Sequence, residues 1–119
     1  MVKLFVYGSL RQGLYDNFLI DSENFLKEDE LNNYKMYSLT HYPFIIAGSG
    51  TVKGEIHEVS VSNANYIRSM EEGVGYKMVI GQTVSGVEVV YYVFERMPTH
   101  RRLELVIGGD WKKWSNKQA

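Results

Sequence analysis

Residues 2–11, Val-Lys-Leu-Phe-Val-Tyr-Gly-Ser-Leu-Arg, contain the strongest local signal in the chain. The run Val2–Val6 combines β-branched and aromatic residues and is followed by a Gly-Ser pair, a pattern that predicts a β-strand and then a sharp turn. A loop of this kind can turn its backbone N–H groups outward and hold an anion or a carbonyl oxygen. A plain turn without a binding role is the alternative that these residues leave open.

Strand signals recur along the rest of the chain. Apolar runs bounded by turn residues predict further strands at residues 34–39, 44–46, 51–59, 76–80, 87–94 and 103–107. The segment Gly48-Ser49-Gly50 is interpreted as a turn between two of these strands. Along residues 51–59 the side chains alternate, which predicts a half-buried strand. One face would carry Val52, Gly54 and Ile56, and the other Lys53, Glu55 and His57.

One segment has a convincing helical pattern. Ser62-Asn63 is a helix-starting pair, and apolar positions follow at helical spacing until Gly73 and Gly75 end the helix. Short helical turns are also predicted within residues 16–20 and 22–26. Five or six strands with glycine-rich turns and one good helix indicate an α+β fold, a small, mostly antiparallel barrel or curled sheet.

Length and composition exclude several classes of protein. The chain has 119 residues, 45% of them hydrophobic and 23% charged, which predicts one folded domain covering residues 1–119. The formal charge of −1 argues against nucleic acid as a partner, and the absence of cysteine removes disulfides and thiol chemistry. The first apolar run is too short for a signal peptide or a membrane span, so we expect a cytoplasmic protein without a membrane partner.

Familiar catalytic and metal-binding motifs are absent from the sequence. Neither Ser9 nor Ser49 has the flanking glycines of a nucleophile elbow. His41, His57 and His100 are isolated from each other, so we expect no metal site and interpret them as ordinary polar surface residues.

Two adjacent carboxylates near the end of the predicted helix are the best candidates for chemistry. Glu71 lies four residues after Ile67 on the apolar stripe, whereas Glu72 lies four after Arg68 and can pair with it in solvent. A carboxylate held against apolar surface has its charged form disfavoured, which suits it to take up and return a proton. The alternative is a charge at the helix end that curls back to water.

Several short segments together resemble one known family. They are Val6-Tyr7-Gly8-Ser9-Leu10-Arg11, Tyr42-Pro43, Val52-Lys53-Gly54-Glu55-Ile56, Ile67 to Glu71 with Tyr76, and Gly109-Asp110-Trp111. In order and spacing they are similar to the gamma-glutamylcyclotransferase-like proteins, which include gamma-glutamylamine cyclotransferases and an aminoglycoside-pathway member. The resemblance covers nearly the whole chain.

The resemblance implies a fold, an activity and a site. The fold would be a six-stranded, mostly antiparallel β-barrel with surrounding helices. The activity would convert a small-molecule gamma-glutamyl amine or peptide into 5-oxoproline and a free amine, without cofactor or metal. Glu71 would be the general acid/base. The loop Tyr7, Gly8, Ser9 and Leu10 would bind the glutamyl group. Tyr76 and Tyr91 or Tyr92 are candidates to line the cavity with their hydroxyls, and core filling is the alternative role for at least one of them.

The chain departs from the family pattern at two positions near the catalytic residue. Arg68 stands where many relatives have Asp, and Glu72 stands where they have Gly, so the choice of Glu71 depends on the helix-face argument. Two alternatives keep the scaffold. One is a non-catalytic barrel that binds a small molecule or a peptide, and the other is cleavage of an amide or ester of a modified amino acid.

Overall fold

The structure is a computed structural model that describes residues 1–14, 17, 20, 24–99 and 101–118. Those residues form six strands and two helices. In chain order they are β1 (Val2–Val6), β2 (Phe25–Ser38), β3 (Pro43–Val59), α1 (Val61–Gly73), β4 (Lys77–Gln82), β5 (Glu88–Val93), β6 (Glu104–Leu105) and α2 (Trp111–Gln118). Within the described residues neither helix is long and apolar enough to cross a membrane.

All six strands belong to one sheet in the order β4-β5-β1-β3-β2-β6. β1 pairs parallel with β5, and every other neighbouring pair is antiparallel. The long β2–β3 ribbon has a register shift between Asn32 and Tyr34, where Asn33 has a φ of 71°. Irregularities of this kind bend a strand and increase its twist, so the sheet curls into a half-barrel. The predicted six-stranded, mostly antiparallel α+β fold is confirmed.

β1 has the predicted bounds and lies in the middle of the sheet, covered on both faces. Leu4 and Val6 belong to one apolar core and Phe5 to the other, because successive side chains of a strand point to opposite faces. α1 packs on the first core through Ile67, and α2 packs on the second through Trp111. The central strand therefore ends, just before Tyr7, between elements that come from distant parts of the chain.

The prediction of a turn at Gly48-Ser49-Gly50 is wrong. β3 continues through these residues and pairs with β2 on both sides of them. A Cβ atom at Gly50 would lie 2.8 Å from the carbonyl oxygen of Tyr34. Glycine here permits a close approach of two strands at the bulge, which is a role that a local pattern does not distinguish from a turn.

The helix predictions need three corrections. α1 begins at Val61, slightly before the expected starting pair Ser62-Asn63. Its N-cap is Ser60, whose side chain accepts from the N–H of Asn63. Phe25 and Leu26 lie in β2 and not in a helical turn, while residues 16, 18, 19 and 21–23 lie outside the described residues. The helix α2 was not predicted, because it has few apolar positions. Its signal is Asp110, whose carboxylate accepts from the N–H of Lys113 at 3.3 Å as an N-cap does.

Candidate active site

A cavity of about 500 Å³ lies where the end of β1, the turn before β3 and the C-terminal end of α1 meet. Its size is within the usual range for small-molecule sites. The residues that line it are Leu4, Phe5, Val6, Tyr7, Gly8, Ser9, Leu10, His41, Tyr42, Pro43, Met70, Glu71, Val74, Tyr76 and Tyr92. All six site residues expected from the sequence, Tyr7 to Leu10, Glu71 and Tyr76, are among them.

The loop after β1 forms one wall of the cavity. The N–H of Arg11 donates to the carbonyl oxygen of Gly8 at 3.0 Å, which closes a tight turn over Ser9 and Leu10. A Cβ atom at Gly8 would lie 3.0 Å from Cγ of Pro43. Glycine at this position therefore allows the loop to lie directly against the start of β3.

The C-terminal end of α1 forms the opposite wall. The carbonyl oxygen of Glu71 accepts from the N–H groups of Val74 at 3.2 Å and Tyr76 at 3.1 Å. Gly75 makes this reversal possible, because its φ of 103° is in the region that favours glycine. The chain thus folds back so that Tyr76 enters the cavity beside Glu71.

The two neighbouring carboxylates point to different surroundings. Glu71 is half-buried and lines the cavity. Glu72 is exposed, and its Oε1 accepts from Nε of Arg68 at 3.3 Å, as the four-residue spacing predicts. The structure therefore brings Glu71, and not Glu72, to the same cavity as the loop of Tyr7 to Leu10.

Three tyrosines around Glu71 remain protonated at neutral pH. Burial raises the pKa of Tyr7 and Tyr76, and the negative charge of Glu71 raises both further. Burial and the same charge raise the pKa of Tyr92 to about 12. Tyr7 donates its hydroxyl proton to the carbonyl oxygen of Tyr92 at 2.7 Å, and Tyr76 donates to that of Pro43. These hydroxyls fix the cavity walls and do not compete with Glu71 as bases.

Tyr91 and Tyr92 were both candidates for the cavity, and only Tyr92 lines it. The Tyr91 hydroxyl lies 2.8 Å from that of Tyr34, and the Tyr91 side chain belongs to the core on the other face of the sheet. Adjacent residues of β5 must point to opposite faces, so one of the two had to face away from the cavity.

A buried group of charged residues behind the loop was missed. Glu55 is 1% exposed, His57 is 0% exposed and Arg11 is 5% exposed. The prediction that β3 is half-buried is therefore wrong beyond Lys53, and His57 is not a surface residue. Segments from both ends of the chain cover this face, which no local pattern in residues 51–59 could indicate. A signal was present in the sequence, because Arg11 and Glu55 both lie in segments that carry the family resemblance.

Glu55 is the centre of this group and holds the loop from behind. Its Oε1 accepts from the backbone N–H of Gln12 at 2.8 Å and lies 3.1 Å from Nε2 of His57. Its Oε2 lies 3.3 Å from Nε of Arg11 and 3.4 Å from Nζ of Lys112. One buried carboxylate thus joins β3, the segment directly after the loop, and α2.

Arg11 extends the connection to the start of α2. Its NH1 group donates to Oδ1 of Asp110 at 3.0 Å. Burial alone would raise the pKa of Asp110, but the N–H of Lys113 and the charge of Arg11 lower it. The same guanidinium therefore bridges two carboxylates, one on β3 and one at the N-terminus of a helix, which fixes the position of the turn that it follows.

We expect the free energy of unfolding to fall at acidic pH because Glu55 becomes protonated. Burial would raise its pKa, but hydrogen bonds from His57 and Gln12 and the charges of Lys112 and Arg11 lower the pKa to about 2. A carboxyl group whose pKa is lower in the folded than in the unfolded protein stabilises the fold when the pH is above the unfolded-state pKa. This contribution is lost as the pH falls through the folded-state pKa. Between about pH 5 and pH 2 we expect a loss on the order of 3 kcal/mol.

Urea unfolding across this pH range measures the effect. The difference in unfolding free energy between wild type and Glu55→Gln should shrink as the pH falls, because the variant has no carboxylate to protonate. A difference that is independent of pH would show that Glu55 is not held in its charged form.

His41 and His57 do not form a site together. His41 lies at the exposed edge of the cavity, His57 is buried beside Glu55, and His100 lies outside the described residues. In the part of the chain that the structure describes, there is no group of three His, Asp or Glu side chains that could hold a metal ion.

Known proteins resemble this chain in both sequence and fold. The gamma-glutamylcyclotransferase family protein YtfP of Escherichia coli (strain K12) is 32% identical over 111 residues, which cover 92% of this chain and 96% of that protein. The solution structure of E. coli YtfP superposes with a TM-score of 0.69 at 30% identity, covering 96% and 99% of the two chains. The crystal structure of the uncharacterized protein PH0828 from Pyrococcus horikoshii gives a TM-score of 0.83 at 26% identity, covering 99% and 96%.

The match to a protein family covers almost as much of the chain as these relatives do. The sequence matches the family described as "Gamma-glutamyl cyclotransferase, AIG2-like" over residues 4–113. This range includes the loop after β1, the end of α1 and the buried Glu55 group. The chain therefore belongs to the gamma-glutamyl cyclotransferase, AIG2-like family.

Proposed function

We propose that this protein converts a gamma-glutamyl amine or peptide into 5-oxoproline and a free amine, with Glu71 as the general acid/base. The observation that carries the proposal is that Glu71 and the loop of Tyr7 to Leu10 line one cavity. Family membership supports the class of reaction. The named relative carries the same designation, a gamma-glutamylcyclotransferase family protein.

The reaction needs few protein groups because the substrate supplies its own nucleophile. The α-amino nitrogen attacks the γ-carbonyl carbon, and a new C–N bond closes a five-membered lactam. The original γ C–N bond breaks, and the amine leaves with its electron pair. The cavity only has to hold the chain of the substrate in a folded conformation, which removes much of the entropic barrier to ring closure.

Glu71 would manage the proton in both halves of the reaction. Its carboxylate takes a proton from the α-ammonium group, which makes the nitrogen nucleophilic, and then returns it to the departing amine nitrogen. The attacking nitrogen gives up a second proton as the lactam forms, and the regenerated carboxylate passes that proton to the released amine or to water. One group serves both steps because the proton gained in the first is the proton needed in the second. The three surrounding tyrosines stay protonated, so none of them competes with Glu71 for that proton.

The loop would bind the polar parts of the glutamyl group. Backbone N–H groups of Gly8, Ser9 and Leu10 are suited to donate to the oxygen that becomes negative in the tetrahedral intermediate, or to the α-carboxylate. Fixed donors of this type stabilise developing charge without having to reorganise. The ion pairs of Arg11 and Glu55 keep the segment that follows this loop in place.

The non-catalytic alternative predicts a different cavity. A binding barrel of this fold would be favoured by an exposed Glu71 or by side chains that fill the cavity. Glu71 is half-buried and the cavity is open, and both features support catalysis.

A product assay tests the proposal. The purified protein is incubated with gamma-glutamyl amides that differ in the leaving amine, and the products are quantified by mass spectrometry. We expect 5-oxoproline and free amine in equal amounts. Glutamate in place of 5-oxoproline would show hydrolysis of the amide, and no product from any amide would favour a binding role.

A further inference from the structure

We propose that the natural substrate's leaving amine carries an uncharged, apolar substituent, which packs at the mouth of the cavity against Tyr42, Met70 and Val74. This inference rests on the proposed cyclisation and names the class of substrate for that same site. It concerns the part of the substrate that becomes the free amine, and not the glutamyl group, which the loop and Glu71 would hold.

The mouth of the cavity has an unusual concentration of exposed apolar side chains. Tyr42 is 40% exposed, Met70 is 37% exposed and Val74 is 58% exposed, and all three line the cavity. Single exposed apolar residues are normal on a protein surface, but a group of them around one opening marks a site for an apolar partner. They come from two separate elements, the turn before β3 and the end of α1.

The volume of the cavity leaves room for such a substituent. A gamma-glutamyl group has nine non-hydrogen atoms, which at no more than about 30 Å³ each need roughly 270 Å³. The cavity has about 500 Å³. The remaining space suits an amine of several carbon atoms, and the apolar residues lie on the open side where that amine would extend.

The charges around the cavity disfavour a charged leaving amine. None of the described residues that line it is Lys or Arg, so apart from His41 at the exposed edge no lining side chain could pair with a carboxylate on the amine, and Glu71 would repel that carboxylate. A second ammonium group at the far end of the amine would lose water against Met70 and Val74, while Glu71 would serve the reacting nitrogen atoms and not that far end. The nearby Glu72 is already paired with Arg68 and would not compensate for that loss.

A matched series of substrates tests the proposal. The gamma-glutamyl amides of butylamine, of 4-aminobutyrate and of 1,4-diaminobutane have leaving amines of equal carbon chain length that are neutral, anionic and cationic at the far end. We expect kcat/KM for 5-oxoproline formation to be about tenfold or more higher for the neutral amide than for either charged one. A charged amide that is processed as well as the neutral one would overturn the proposal.

A positive charge introduced at the mouth provides a second test. Val74→Arg introduces a cation at an exposed position just after the last turn of α1, where a positive charge is compatible with the helix. The ratio of kcat/KM for the anionic amide to that for the neutral amide should rise several-fold. Val84→Arg is the matched control, because Val84 is 52% exposed and lies at the other end of β4. A ratio that does not change in Val74→Arg, or that changes equally in Val84→Arg, would contradict the proposal.

The failure of the reaction and the failure of this inference are distinguishable. If no amide in the series gives 5-oxoproline, the proposed function fails, and calorimetric binding of the same intact amides then decides the inference. Tightest binding of the butylamide supports the apolar subsite. Equal or tighter binding of a charged amide, or no binding of any, overturns it.

Discussion

Glu71→Gln is expected to lower kcat/KM for 5-oxoproline formation by a factor of about 10²–10⁴. The amide keeps the size and shape of the carboxylate but cannot take a proton from the α-ammonium group. Substrate binding should weaken much less than turnover, because in the proposed site the loop would make most of the contacts to the glutamyl group. Steady-state kinetics with a gamma-glutamyl amide that wild type processes measures both effects.

Glu72→Gln is the control for this variant. It makes the same chemical change one residue further along, at an exposed carboxylate that pairs with Arg68 on the surface. Activity close to that of wild type is expected, because surface ion pairs of this kind contribute little. Full turnover in Glu71→Gln, or loss of turnover in Glu72→Gln with Glu71→Gln unaffected, would show that the general acid/base has been assigned to the wrong residue.

Glu55→Ala is expected to lower the free energy of unfolding by about 3–5 kcal/mol. The substitution leaves the buried Arg11 guanidinium without its partner on β3 and leaves the N–H of Gln12 without its acceptor. Arg11 keeps its bond to Asp110, but removing one partner from a buried group of charges is among the most costly changes in a folded protein. Domains are stable by only about 5–15 kcal/mol, so the loss is a large part of the total. Urea unfolding monitored by tryptophan fluorescence provides the measurement.

Two further variants keep this prediction testable. Glu55→Gln retains an acceptor and should lose less, about 1–3 kcal/mol, so it remains folded where the alanine variant does not. Glu58→Ala removes a half-buried carboxylate from the same strand and should cost less than about 1 kcal/mol. Similar losses in Glu55→Ala and Glu58→Ala would mean that the buried ion pairs do not stabilise the loop.

The parts of the fold that sequence predicts well are those determined by local interactions. Val2–Val6 has the predicted bounds because a β-branched run followed by Gly-Ser has few other conformations. The end of α1 follows from Gly73 and Gly75, of which Gly75 adopts the positive φ that the reversal requires. In contrast, β3 passes through Gly48-Ser49-Gly50 because pairing with β2 on both sides of these residues stabilises it. Pairing between distant segments overrides a local turn signal.

The same distinction applies to the candidate site. Helical periodicity is sufficient to separate Glu71 from Glu72, since the two differ by one position on a single helix. The burial of Glu55 and His57 depends on Gln12 and Lys112, which approach from the two ends of the chain. Alternation along β3 predicts which residues share a face, but it carries no information on what covers that face.

Attack by the substrate's own amine, and not by water, is the step that separates cyclisation from hydrolysis. Running the wild-type reaction with a gamma-glutamyl amide in water enriched in ¹⁸O, and analysing the products by mass spectrometry, distinguishes the two. If Glu71 and the loop of Tyr7 to Leu10 promote cyclisation, as we propose, the products are 5-oxoproline without ¹⁸O and an equal amount of free amine. Glutamate that carries one ¹⁸O atom from the solvent would contradict it.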